Sequence, residues 1–420
     1  MIRASVDLNS PWDLCEFFHF GGQMLDINQL RADTPGVNQI IHFNNAGAAL
    51  IPDPVIAVMT RHLQLEARWG GYEAAAQVEA ELEGVYLSIA RLINAQPKEI
   101  AVIENATRAW DMAFYSLPLM PGDVVLTSTT EYAGNYIPYL QLKKQRGIEI
   151  RFIPNDEYGQ VSLAALETML CDDRVALVSL PVIATNGGPV QPIEQIGALA
   201  RAAGVLYLLD ACQGAGHIPI DVKKIGCHML AATSRKYLRG PRGMGFLYVE
   251  KNLCQNLEPT FLDLHAASLL TPETFEIRGD AKRFENWECN IAAKLGFGAA
   301  VDYALATDVD AIWERIQSLA SYLRTRLAQV NGLANQDVGQ VKSGIVTFTL
   351  NGHTSSQLQH MLGAEKKRIN VTPSTFRSTM VDMQQRGLKD VVRASVHAYN
   401  TESEIDVLIE ALERFSSEQP

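Results

Sequence analysis

At 420 residues, with 47% hydrophobic and 20% charged side chains, the chain has ordinary globular usage; wholesale disorder is excluded, and about 150 residues per domain leaves room for two to three domains or one large α/β domain with an appendage. Its 36 basic and 47 acidic residues give a net charge of −11, the wrong balance for a nucleic-acid footprint, which needs clustered positive charge. Six dispersed cysteines (Cys15, Cys171, Cys212, Cys227, Cys254 and Cys289) form no CxxC pair and read as reduced thiols of a cytoplasmic protein, with no metal site expected and no apolar run near the ~18 residues of a membrane span.

The first 40 residues read weakly. Asp7, Asp13 and Glu16 precede any long apolar run, which argues against a signal peptide, and a short helix or an arm across a partner subunit are both open. From Ile100 to Val249 short apolar runs alternate with helical patterns. The expected strands are Ala101–Ile103, Val124–Ser128, Ile148–Ile153, Val175–Leu180, Val205–Asp210, His228–Ala232 and Gly245–Val249, with amphipathic stretches at Ser162–Leu170 and Pro192–Ala203. Such continuous Val/Leu/Ile runs suit strands buried on both faces of a mostly parallel sheet, and the strand–helix–strand order makes this an α/β unit with right-handed crossovers. After Gly296 the texture changes. Val309, Ile312, Ile316, Leu319, Leu323, Leu327 and Val330 predict one long amphipathic helix ending before Gly332. A strand at Ile345–Leu350, a helix from about Ser355, a strand at Val391–Val396 and a last helix opened by a Thr401/Glu404 capping box complete a smaller α+β unit.

Three segments carry chemistry. Gly204-Val-Leu-Tyr-Leu-Leu-Asp210 is an apolar strand ending in an acid. A carboxylate there either caps the next helix or meets a cation beyond the strand's carboxyl end, where ligands of open α/β sheets bind. Thr233-Ser-Arg235-Lys236-Tyr-Leu-Arg239-Gly-Pro-Arg242-Gly-Met-Gly245 places four cations within eight positions of an acidic chain. Such a run is either a solvated face or, with its hydroxyls and glycines, a phosphate pocket holding one special amine. Glu104-Asn-Ala-Thr107-Arg-Ala-Trp110 is a polar strand-to-helix turn, either a plain cap or an anion site at a helix start.

Together these motifs resemble those of the class V aminotransferase superfamily, pyridoxal-phosphate enzymes of the aspartate-aminotransferase fold that include cysteine desulfurases, selenocysteine lyases and isopenicillin N epimerase-like proteins. Phe43-Asn-Asn45-Ala-Gly, Arg283-Phe-Glu285, Arg393-Ala-Ser and Tyr399-Asn-Thr401 extend the resemblance over about residues 40–415. It implies a 46–295 large domain that binds pyridoxal 5'-phosphate, a 296–420 small domain, a 1–45 arm contributing to the small domain, and a homodimer. It also implies roles. Lys236 bonds to the cofactor aldehyde and carries protons at the substrate Cα; Asp210 pairs with the pyridine nitrogen; Gln213 donates to the phenolic oxygen. Thr107, Thr233 and Arg235 hold the phosphate, Arg393 takes the carboxylate of an amino-acid substrate, and Asn45 and Asn186 line the substrate side. Arg393 alone reads equally as a salt bridge fixing the small domain.

Departures bear on function. Where desulfurases carry a His that stacks on the ring, this chain has Tyr132, which keeps stacking without imidazole chemistry. The stretch matching their persulfide-cysteine loop, Asn370-Val-Thr-Pro-Ser-Thr-Phe376-Arg, has no Cys, and sulfur transfer by direct attack needs a thiolate. Cys212 reads as a small core residue. Glu288-Cys289 stands where relatives have Gly-Thr, and an acceptor-only Glu cannot hold a phosphate. The leading expectation is a carbon–sulfur lyase or desulfurase-like β-elimination without a persulfide cysteine. The alternatives are a class V aminotransferase or an amino-acid epimerase, and, from another class, a cofactor-free binding or scaffold protein.

Overall fold

Residues 25–417 are described by the computed structural model. Strand β1 (Ile41–His42) is followed by β2 (Ile100–Ile103), β3 (Val124–Ser128), β4 (Glu149–Ile153), β5 (Val175–Pro181), β6 (Leu206–Asp210), β7 (Met229–Thr233) and β8 (Gly245–Val249). The last seven form one sheet in the order β2-β8-β7-β6-β5-β3-β4. All neighbours are parallel except β8, which runs against both β2 and β7. The expected strands therefore all exist, their bounds shifted by a residue or so.

Leu208 and Met229 pack with Trp110, Phe114 and Tyr139 on one face of this sheet, while Leu209 and Leu230 join the main core on the other. Burial on both faces is why these strands read as unbroken apolar runs. Edge strand β4 carries Glu149 and Arg151, charges that discourage further pairing. From β3 the chain steps outward to β4, then returns to the other side of β3 for β5, β6 and β7. That reversal makes the β3/β5 boundary the topological switch point, the crevice in which α/β sheets bind ligands.

Beyond a hairpin, β9 (Ala267–Thr271) with β10 (Thr274–Ile277), the helices Ile291–Thr307 and Val309–Leu327 lead to strands β11 (Leu333–Asn335), β12 (Ile345–Leu350), β13 (Ile369–Asn370), β14 (Thr372–Thr375) and β15 (Asp390–Ser395). Four of them build an antiparallel sheet, β11-β12-β15-β14, and β13 pairs in parallel with β1. The expected helix from Ser355 runs to Gly363. The expected capping box is present, Thr401 Oγ1 accepting from the Glu404 N–H and Glu404 Oε2 from the Thr401 N–H, both at 3.3 Å. Sequence reasoning assigned no element to residues 46–99, where the helices Asp53–Trp69, Gly71–Gln77 and Glu79–Leu92 lie. The first of them buries only Val55 and His62, leaving Ile56 and Leu63 exposed, so it lacks the apolar stripe that announces a helix. The acids at positions 7, 13 and 16 and Cys15 lie outside the described residues.

Candidate active site

At the switch point the carboxyl ends of the strands open into a cavity of about 100 Å³. Thr130 and Tyr132 follow β3, Pro181 ends β5 with Ile183 and Thr185 after it, and Asp210 ends β6 with Cys212 and Gln213 next. Thr233 ends β7, and Arg235 and Lys236 occupy the turn behind it. Opposite them the helix Ala106–Tyr115 begins, its N-cap Asn105 accepting the Arg108 N–H and Thr107 in its first turn. Gly245 makes this junction possible: a Cβ there would stand 2.6 Å from the Ala232 oxygen and 2.9 Å from the Ala106 nitrogen. Seven of the ten residues singled out from sequence thus line one cavity.

Asp210 is buried and held on both oxygens, Oδ1 accepting from the Cys212 N–H and Oδ2 from Asn135 Nδ2, each at 2.8 Å. Behind it lies a second buried acid, Glu131, whose pKa is pushed up to about 7 by burial and by the charge of Asp210. Neither acid has an ion-pair partner among the described residues. Lys236 Nζ makes no hydrogen bond or ion pair among them either. Burial, with Arg235 and Arg393 nearby, lowers its pKa to about 8, so a useful fraction of the amine is neutral near pH 7. Cys212 shares the wall, but burial and Asp210 push its thiol well above the usual range.

Gln213 Nε2 donates to the Ala46 oxygen (3.2 Å) and Thr185 Oγ1 (3.1 Å), which spends both its hydrogens and leaves only the acceptor Oε1 buried and unpartnered, so the expected donation from Gln213 to a phenolic oxygen is not available in this arrangement. Arg393 reaches over from β15 to the cavity wall, NH1 donating to Thr185 Oγ1 at 2.7 Å, while its buried Nε has no partner. Arg235 donates to the Gly47 oxygen. Asn45 and Asn186 do not line the cavity. Asn45 is fully buried, donating to the oxygens of Ser395 (2.7 Å) and His42 (3.3 Å) and accepting from the Tyr399 hydroxyl. Asn186 spends its amide on Ser374, Thr379 and Met383. Glu131, Asn135, Thr130 and Thr185 were not singled out from sequence. Glu131 follows β3 by three residues, with Thr127 to Thr130 between it and the apolar run, a more distant version of the acid-after-strand signal that drew notice to Asp210.

The residues present suit pyridoxal phosphate. A free amine of lowered pKa, an acid without a cationic partner, orphaned donors and acceptors, and a helix start with hydroxyls meet on one cavity.

Comparison with known proteins agrees with this chemistry. The family described as "Aminotransferase class-V" matches residues 41–408. A protein named probable cysteine desulfurase from Methanothermobacter thermautotrophicus is 28% identical over 393 residues, covering 92% of this chain and 97% of that one. The apo structure of a cysteine desulfurase from Thermococcus onnurineus NA1 superposes with a TM-score of 0.87 at 23% identity, over 95% of this chain and 100% of that one. A complex of the cystine C-S lyase C-DES with its reaction product cysteine persulfide does so at 0.81 and 22%, over 90% and 99%. The chain belongs to the class V aminotransferase family and is an enzyme of fold type I dependent on pyridoxal phosphate.

Proposed function

We propose that the enzyme cleaves a carbon–sulfur bond at Cβ of an amino acid by β-elimination, without a persulfide-carrying cysteine. The carrying observation is that its cavity presents an amine and no reactive thiol. The 370–377 segment has no Cys, and Cys212, the one cysteine on the cavity wall among the described residues, is held as a thiol by burial and Asp210. The names of the relatives supply the substrate class.

Pyridoxal phosphate, when bound, supplies a sink for the electron pair left at the substrate Cα. Thr107, Thr233 and Arg235 would hold its phosphate, Asp210 its ring nitrogen and Tyr132 one ring face. Arg393, with an unpartnered Nε and a fork anchored on Thr185, would take the substrate carboxylate and so orient the Cα–H. Lys236 Nζ would take that proton and hold it. With no thiolate to receive sulfur, the group at Cβ departs with the bonding pair and is protonated. Cysteine and water then give hydrogen sulfide, pyruvate and ammonia; an S-conjugate gives the free thiol instead.

Asn45 and Asn186 would act on the substrate side only by fixing the segments around Arg393 and Ser374. We assign residues 46–295 to the cofactor-binding domain, 296–420 to the small domain and 1–45 to an arm contributing to it, and expect a cytoplasmic homodimer. Leu269 and Phe275, paired across the β9–β10 hairpin, both stand exposed, an apolar surface suited to a second copy. No helix among the described residues is long and apolar enough to cross a membrane.

Purified holoenzyme given cysteine, its sulfoxide conjugates and selenocysteine separates the readings. Pyruvate is expected. Alanine with sulfur retained on the protein would refute the cysteine-free route, and no product from any of them would favour an aminotransferase or epimerase. A protein that stays colourless with added pyridoxal phosphate would favour the scaffold.

A further inference from the structure

Glu131 lies three residues beyond the end of β3, in a place where a carboxyl is costly. Four donors close on it. Oε1 accepts from the Tyr132 N–H at 2.8 Å and from Asn135 Nδ2 at 3.0 Å, and Oε2 from the Thr127 and Tyr139 hydroxyls, both at 3.0 Å. It also sits at the start of the helix Ala133–Arg146, whose dipole favours an anion there. The same Asn135 Nδ2 donates to Asp210 Oδ2 at 2.8 Å. All four contacts on Glu131 are donors, and those from Asn135, Tyr132 and Thr127 favour its charged carboxylate against the burial and the Asp210 charge that push its pKa up to about 7; only the NH2 end of an amide can donate to two carboxylates, so the orientation of Asn135 is fixed by chemistry. Its two hydrogens tie one buried acid to the other.

The bare need to satisfy Thr127 and Tyr139 would be met by a glutamine, which accepts and donates and costs less to bury. A second acid behind Asp210 has a different effect. A neutral donor on Asp210 Oδ2 alone draws charge away from that carboxylate and weakens it as a partner for a cation. An acceptor carrying negative charge on the far side of the same amide polarises it the other way and adds its own field. The Tyr132 N–H on Oε1 also lets this carboxyl set the backbone that carries the ring on the cavity wall.

We propose that Glu131 is a positioning residue: through Asn135 it aims Asp210 at the ring nitrogen of pyridoxal phosphate and supplies the second negative charge that keeps this nitrogen protonated. The proposal rests on the assignment of Asp210 to that nitrogen. It concerns the electronic state of the bound cofactor and is independent of which substrate the enzyme takes.

The test is Glu131→Gln in the holoenzyme reconstituted with pyridoxal phosphate carrying ¹⁵N in its ring. The glutamine oxygen can still accept from Tyr132 and Asn135, and the Thr127 and Tyr139 hydroxyls can turn to accept from its NH2, so charge is removed with little change of shape. The ring-nitrogen resonance should move toward the unprotonated position, and the cofactor dissociation constant should rise about tenfold, the usual scale for a group acting through a ligand. Asn135→Ala, which cuts the link and leaves Glu131, should move both readings in the same direction, and it serves if Glu131→Gln does not fold. Asp210→Asn is the reference. If Asp210→Asn moves the resonance while Glu131→Gln and Asn135→Ala leave both readings at wild-type values, Glu131 is a structural acid and the proposal is overturned. If Asp210→Asn itself leaves the resonance unmoved, the assignment of Asp210 falls, and the proposal with it.

Discussion

The lowered pKa of Lys236 makes a kinetic prediction about cofactor capture. Burial is its largest cause, Arg235 and Arg393 add to it, and Cys212 and Asp210 oppose it, for a result of about 8. Only the neutral amine attacks an aldehyde. With a pKa of 8 the neutral fraction is about 1% at pH 6, ~9% at pH 7, ~50% at pH 8 and ~90% at pH 9. An unshifted lysine at 10.5 would be only about 0.03% neutral at pH 7, some 300-fold less. The rate constant for covalent capture of pyridoxal phosphate by apoenzyme, followed by stopped-flow absorbance, should therefore climb about tenfold from pH 6 to 7 and level off above pH 8. Removing a neighbouring cation with Arg393→Gln should move the plateau to higher pH, since that guanidinium disfavours a second positive charge. A rate that keeps rising tenfold per unit through pH 9 would show an ordinary lysine and refute the reasoning. So would a plateau that ignores Arg393→Gln.

Other consequences follow from the same packing. His217 and His397 are buried against Tyr237, the neighbour of Lys236, with ring centroids 3.7 and 5.6 Å away, and burial lowers the pKa of each to about 3. Because an unfolded His binds a proton near 6.5, each contributes stability that is lost as pH falls below that value, about 2 kcal/mol by pH 5. Glu131, raised to about 7, works in the opposite direction, so the measurement is a comparison: urea midpoints between pH 7 and 5 should fall more steeply for the wild type than for His217→Gln. Gly245→Ala drives a methyl into the Ala232 oxygen and the Ala106 nitrogen; a loss of about 1–3 kcal/mol in thermal melting and weakened cofactor binding are expected, since the helix that moves carries Thr107. The proposed homodimer predicts that wild-type protein sediments as a dimer and that Leu269→Asp with Phe275→Asp sediments as a monomer while the melting temperature of the chain stays near wild type; wild-type protein sedimenting as a monomer would refute it.

The sheet was legible because its strands are buried on both faces, and nothing but continuous apolar sequence satisfies that environment. Val124–Ser128 and Gly245–Val249 needed no adjustment at all. The helices Asp53–Trp69 and Gly71–Gln77 were not legible, for the converse reason, and Glu79–Leu92, which buries Val85, Ile89 and Leu92, was missed along with them. Ile56, Leu63, Trp69, Tyr72 and Leu87 face outward, so their apolar pattern does not mark the inner side of this chain's own core. The hairpin β9–β10 escaped notice in the same way, with Leu269, Leu270 and Phe275 exposed. Sequence patterning reports burial, and where apolar side chains stand exposed the period is scrambled.

Residues that one short motif carries were legible together, whereas Arg393 was singled out but its meeting with Thr185 was not, and the difference is one of backbone order. Asp210, Gln213, Thr233, Arg235 and Lys236 come from two consecutive strand ends, so a short motif carries them. Arg393 joins Thr185 across 208 positions of sequence, and Asn186 meets Ser374 and Thr379 across a similar gap. No local spacing encodes such meetings; they depend on how β15 and β14 sit against the end of β5. Glu131 marks the boundary between the two cases. Its acid-after-strand signal was in plain view, but its meaning lay in one amide shared with Asp210, 75 residues beyond Asn135. A residue whose effect passes through a neighbour is readable only once the neighbour is placed, which is why the tie of Glu131 to Asp210 through Asn135 had to come from the fold.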